Sequence, residues 1–193
     1  MACGVLSKGR GLDCNRISGG VKNIFFGVYD QFDAPIDGTG IVVVNSEITD
    51  IEMGANTLYR YTVPRGSTTI NEQISGSTEN GTLFYTPTVN MILNRLTKED
   101  QNEIKLLGQT QVVVFAQLNA TLANGHDVIV GMGVTNAMSL NAGTADSGAG
   151  FGDRNGYTLT FDGLESDPFP MVADYTLEPF DNTAFTMGTI VKS

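Results

Sequence analysis

Two short runs in this chain, Ile24-Phe25-Phe26 and Val112-Val113-Val114-Phe115, are apolar at every position rather than at every second one. Successive side chains of a β-strand point to opposite faces, so runs of this kind need cover on both sides. Each therefore marks a central strand buried between two layers, or a strand whose second face meets another subunit. A single exposed sheet cannot accommodate them.

Other strand-like runs recur at short intervals, over 21–30, 40–52, 57–63, 67–75, 81–96, 109–118, 127–134 and 155–163, each bounded by Gly, Asn, Asp, Pro or Ser. Several alternate. Val89, Met91 and Leu93 share one side, as do Val128, Val130, Met132 and Val134, and as do Tyr157, Leu159 and Phe161. The spacing predicts a mainly β protein, a β-sandwich or barrel of about eight strands. One helix flanks it, over residues 98–107: Thr97 is a good N-cap, Glu99 and Asp100 suit the positive end of the helix dipole, Gly108 stops the helix, and Ile104 and Leu107 face inwards. Pro64-Arg65-Gly66-Ser67 joins 57–63 to 67–75 as a long hairpin, whose second arm is polar on both faces and so projects into solvent or lines something wet. Residues 141–156 read as glycine-rich slack ahead of a regular strand.

A chain of 193 residues suits one domain, here residues 1–165 with an arm over 1–20, followed by an acidic extension over 166–193. With 11 basic and 21 acidic residues the net charge is −10, which repels phosphate backbones and anionic lipid. The charge is uneven. Lys8, Arg10, Arg16 and Lys22 outnumber Asp13 near the start, whereas Asp30, Asp33, Asp37, Glu47, Asp50 and Glu52 fall in a window without a base, and 162–192 holds six acids and one lysine. Solvated surface charge is the first reading of this pattern; oppositely charged parts of identical subunits meeting in an assembly is the alternative. No run approaches the roughly 20 apolar residues of a membrane span, and no secretory signal precedes Cys3 and Cys14, so reduced thiols in a cytosol are expected.

Catalytic chemistry finds little support. His126 is the one histidine and sits in a turn without a cluster at ligand spacing, so it reads as a surface residue. Cys3 and Cys14 would need further ligands to hold zinc. The stretch "GAGFGDRNG" leads into a strand rather than a helix, which is the wrong context for a phosphate loop. Asp30, Asp33 and Asp37 miss the calcium-loop spacing. No enzyme, metal or cofactor is expected.

The order of parts, "MACGVLSKGRGLDC", "VKNIFFGVYD", "ENGTLFYTPTVNMILNRLTKEDQNEIKLLGQTQVVVF", a glycine-rich loop and "GDRNGYTLTFDGLE", resembles tail tube and related virion proteins of tailed bacteriophages over about residues 1–165. The resemblance implies a small β-sandwich or barrel with one helix, assembling head to tail into rings, usually hexameric, around a channel that passes DNA without binding it specifically. It implies no catalytic residues. The hairpin 57–75 matches an arm used between subunits and the loop 136–154 a connection that orders on assembly, while the acidic segment after Glu165 departs from a simple tube subunit. Expected subunit contacts are Tyr59, Tyr61, Thr69, Ile70 and Gln73, and expected channel-facing acids Asp50, Glu52 and Glu72. The location would be the virion tail, assembled in the host bacterial cytoplasm, with a capsid decoration or receptor-binding module as the alternative.

Overall fold

A computed structural model describes residues 9–11, 18–32 and 40–192; Cys3, Cys14, Asp33 and Asp37 lie outside the described residues. In chain order the elements are β1 Val21–Val28, β2 Ile41–Val44, β3 Glu47–Ile51, β4 Thr57–Thr62, β5 Thr69–Ser77, β6 Thr82–Asn94, α1 Lys98–Leu107, β7 Val112–Thr121, β8 Asp127–Met132, β9 Ser139–Asp146, β10 Gly156–Asp162, β11 Met171–Val172 and β12 Thr189–Lys192. They form an eight-stranded sheet in the order β12-β4-β1-β7-β8-β11-β3-β2 and a four-stranded sheet in the order β5-β6-β10-β9. The protein is a β-sandwich, with more and shorter strands than the spacing predicts. Among the described residues no helix is long and apolar enough to cross a membrane.

The doubly apolar runs pair with each other at the centre. β1 and β7 are antiparallel, with Phe25 opposite Phe115 and Phe26 opposite Val114. Ile24, Phe26, Val112, Val114 and Ala116 face the smaller sheet, where they meet Val89, Met91, Leu159 and Phe161. Phe25, Val113 and Phe115 face the other way and are buried under Ile48, Ile51, Met53 and Phe180. The Phe180 ring stands edge-on to Phe25 at 5.1 Å and to Phe115 at 5.3 Å, a geometry aromatic pairs favour. Both faces of the central pair are thus covered within one chain, and no second subunit is needed for that purpose.

Cover for the second face comes from the sheet curling over itself. β3 is held by β11 at its start and by Thr186 at its end, through Thr186 N–H to the Ile51 carbonyl (2.8 Å) and Met53 N–H to the Thr186 carbonyl (2.9 Å). From Thr186 the chain runs into β12, which pairs parallel with β4. This circuit ties β12, one margin of the curved sheet, to β3, which lies beside the other margin, β2. The acidic segment 166–193 is therefore not a trailing extension: it supplies two strands of the larger sheet and Phe180 to its core. Gly188 makes the closure possible, because a Cβ there would lie 1.7 Å from the Asn56 carbonyl oxygen.

The helix matches its expected bounds and cap. Thr97 Oγ1 accepts from the Asp100 N–H at 3.1 Å and donates to the Asp100 carboxylate at 2.6 Å, and Ile104 and Leu107 pack on the core between the sheets. Four expectations are corrected. The run 40–52 is two strands, since Asn45 and Ser46 take φ of 53° and 66° and turn the chain back in a two-residue hairpin. The segments 57–63 and 67–75 are not a hairpin, because β4 lies in the larger sheet and β5 in the smaller. The "slack" of 141–156 contains most of β9, paired along its length with β10. Val134 leaves the row of Val128, Val130 and Met132 after Gly133, whose φ is 72°, and joins the opposite core.

Two substitutions test this architecture by denaturant unfolding. Phe115→Ala empties a fully buried site at the centre and should cost about 3–5 kcal/mol. Gly188→Ala should cost about 1–3 kcal/mol by forcing β12 off β4, and amides of 186–192 should lose exchange protection before those of β7.

Candidate functional site

The four-stranded sheet has a dry face and a wet one. Ile70, Val89, Phe161 and Leu140 lie side by side across β5, β6, β10 and β9 and point into the core. The neighbouring rows therefore point outwards. They read Thr69, Asn90, Thr160, Ala142 and then Asn71, Thr88, Asp162, Ser139, with Gln73 opposite Thr86 beyond them. Thr160 Oγ1 donates to Asn90 Oδ1 at 2.8 Å, and the Asn141 amide donates to Asp162, so this face is laced with side-chain hydrogen bonds. Not one lysine, arginine or histidine occurs on the four strands.

Among the described residues both margins of this sheet are bare: β5 pairs only with β6 and β9 only with β10, leaving a nine-residue and an eight-residue strand each with an unused row of backbone donors and acceptors. An exposed edge invites another strand unless it is blocked by charge, proline or a bulge. Neither β5 nor β9 carries a proline or a base, though each carries one acid, Glu72 and Asp146, and β9 has a bulge at Asn141. The β5–β6 hairpin also projects apolar side chains, with Ile74 65% and Leu83 59% exposed.

The residues expected to act together are divided by this arrangement. Thr69 and Gln73 lie on the outward polar face, while Ile70, their neighbour on β5, packs inwards. Tyr59 and Tyr61 belong to β4 in the other sheet, beside α1. Asp50 and Glu52 lie at the end of β3 in the larger sheet, where Asp50 Oδ1 is buried without a hydrogen-bond partner, so they share no surface with the polar face. Glu72 shares the inward parity of Ile70 and accepts from the Phe169 N–H at 2.7 Å. The residues that line the polar face in place of these acids are threonines and asparagines.

Glu72 borders a cleft of about 310 Å³ between the sheets, together with Glu165, Pro87, Gly133 and Phe169. Glu165 is the buried carboxylate of the molecule among the described residues. Its backbone pairs with Tyr85 (2.9 and 2.8 Å) and its carboxylate accepts the N–H groups of Asn136 (3.1 Å) and Thr135 (3.3 Å). Burial pushes its carboxyl up from the ordinary 4.5, against those hydrogen bonds, and burial raises Glu72 likewise. No signal in the sequence marks Glu165, which reads there as the start of an acidic tail; tertiary folding alone encloses it. His126 Nδ1 lies 2.7 Å from Asp174 Oδ1 and its ring stacks on Tyr175 at 4.6 Å. The hydrogen bond holds the Asp174 carboxyl below its usual range, and the cluster clasps the 170s segment to the β7–β8 turn, a structural role for the lone histidine.

No family model, no curated protein and no solved structure matches the chain.

A carboxyl whose folded pKa lies above its unfolded value contributes stability that is full below the unfolded pKa and is lost as pH rises through the folded one. Thermal stability should therefore fall as pH rises above the ordinary glutamate range. Glu165→Gln should flatten that slope, with Glu72 accounting for what remains; an unchanged slope would mean that Glu165 is not held in a desolvated place.

Proposed function

We propose that this chain is a structural virion protein of a tailed bacteriophage, assembling with copies of itself into rings, hexamers by the resemblance, that build the tail tube or a tail ring around the DNA channel. The observation that carries the reading is the four-stranded sheet, open at both margins among the described residues and with no base on its four strands, although Arg154 from the β9–β10 connection reaches its polar face and donates to Thr158 Oγ1 at 2.8 Å. Opposite margins of one sheet differ, so pairing β5 of one copy with β9 of the next makes a head-to-tail contact that closes into a ring when the rotation allows. The polar faces would then form a continuous wall. Lysines or arginines on such a wall would bind phosphates and displace their counterions, retarding DNA; threonine and asparagine side chains with Asp162 do not.

Negative-stain electron microscopy of concentrated protein at neutral pH should show rings or tubes with a central hole wide enough for a duplex. A chain that stays monomeric, or forms trimers without a lumen, favours the decoration or receptor-binding module. Two proline variants locate the contact. Successive N–H groups of a strand point to opposite sides, so of Thr144→Pro and Ala145→Pro one removes a bond to β10 and the other a free edge donor. The first should lose about 1–3 kcal/mol of stability. The second should keep its melting temperature and lose assembly.

A further inference from the structure

A groove runs between α1 and β4 of the larger sheet. Its floor is Tyr59, Tyr61, Leu93 and Val191, and Glu99, Asp100 and Glu103 of α1 stand along its wall, enclosing about 520 Å³. Beyond the two tyrosines it continues as an apolar recess of about 200 Å³ against Phe26, Val28 and Leu106. Tyr59 is 42%, Val191 44% and Leu106 56% exposed, an apolar surface left open in the folded chain. The groove is acidic as well. Arg60, its one basic lining residue, is engaged by Asn23 at 3.2 Å, Lys98 reaches only Glu99, at 3.4 Å, and Asp100 is occupied by the helix cap. Burial, and after it the charges of Glu103 and Asp100, pushes the Tyr61 phenol up to about 12.

We propose that this groove receives the basic segment that precedes β1 of a second copy of the chain. Residues 1–20 hold Lys8, Arg10 and Arg16 against Asp13, three bases less one acid or +2, in a chain whose total is −10. The same stretch supplies apolar Val5, Leu6 and Ile17. Basic side chains lay their stems on apolar surface while the head meets an acid or an aromatic face, which suits a floor of tyrosines beneath a wall of carboxylates. The other projecting element, the β5–β6 hairpin, carries Glu72 and Glu79 and would be repelled by the same wall. Direction argues for a second copy over the chain's own groove. The Gly20 carbonyl accepts from the Asn119 N–H at 2.9 Å and the Gly19 carbonyl from the Asn119 side chain at 3.0 Å, so the two residues before β1 are held against β7, whereas the groove lies on the β4 flank of β1. Twenty residues span about 65 Å when extended, ample to reach a neighbour.

The contact requires only a second copy and does not rest on rings or a virion. Carbodiimide coupling, which joins a lysine to a carboxylate within contact distance, is applied to a one-to-one mixture of ¹⁴N- and ¹⁵N-labelled full-length protein and read by mass spectrometry. The expected result is Lys8 joined to Glu99 or Glu103, with mixed-isotope and same-isotope links in equal amounts. Glu103→Lys should reduce these links several-fold, and combining it with Lys8→Glu and Arg10→Glu should restore the association measured by sedimentation. Same-isotope links alone would assign the segment to its own groove and overturn the proposal, as would the absence of any Lys8 link to α1. Rings seen by microscopy without these links would overturn it while leaving the ring reading standing.

Discussion

Burial of the β1–β7 pair on both faces is the constraint on which the rest of this molecule depends. Phe25, Val113 and Phe115 on one side and Phe26, Val112 and Val114 on the other cannot be left in water; each large side chain withdrawn is worth about 1.5–3 kcal/mol. One face is met by the four-stranded sheet. The other requires the larger sheet to curl until β3 crosses it, and the curl is held by the C-terminal segment through Thr186, Gly188 and β12. The acidic composition of that segment conceals its role, because the residues that do the packing, Val172, Phe180, Phe185 and Met187, are spaced irregularly among the acids.

Once the core is complete, the two sheets have different remaining surfaces. The larger sheet buries both faces of its central strands and has β12 tied to β3 through Thr186, leaving the short outer edge of β2 unpaired among the described residues. The smaller sheet spends one face and keeps a polar face and two free margins. That asymmetry is what a repeating assembly requires, since a copy whose core is self-sufficient can fold first and pair edges afterwards.

Where the sequence carried a local signal it was readable. The alternation of Tyr157, Leu159 and Phe161, the cap at Thr97 and the doubly apolar runs each rest on a rule that acts within a few residues, and each is found as expected. Partnership between distant segments was not readable in the same way. "PRGS" turns the chain, yet nothing local to it decides whether β5 returns along β4 or crosses to another sheet; that choice follows from Ile70 finding Val89 across β6. Likewise β9 has almost no hydrophobic pattern of its own and is a strand because β10 offers it a register. For the same reason Asp50 and Glu52 are not brought beside Glu72: β5 lies in the smaller sheet and β3 in the larger. The polarity of the 67–75 arm is legible, but the full polar face is not, because Thr, Asn and Gln in alternation with a core row look like ordinary solvated positions until four strands lay them side by side.

Hydrogen exchange, compared between dilute protein and assembled particles, tests whether copies join through the margins β5 and β9. Amides of Thr69–Ser77 and of Ser139–Asp146 should gain protection together on assembly while β1 and β7 stay unchanged. Particles that form with both margins still exchanging freely would contradict that contact.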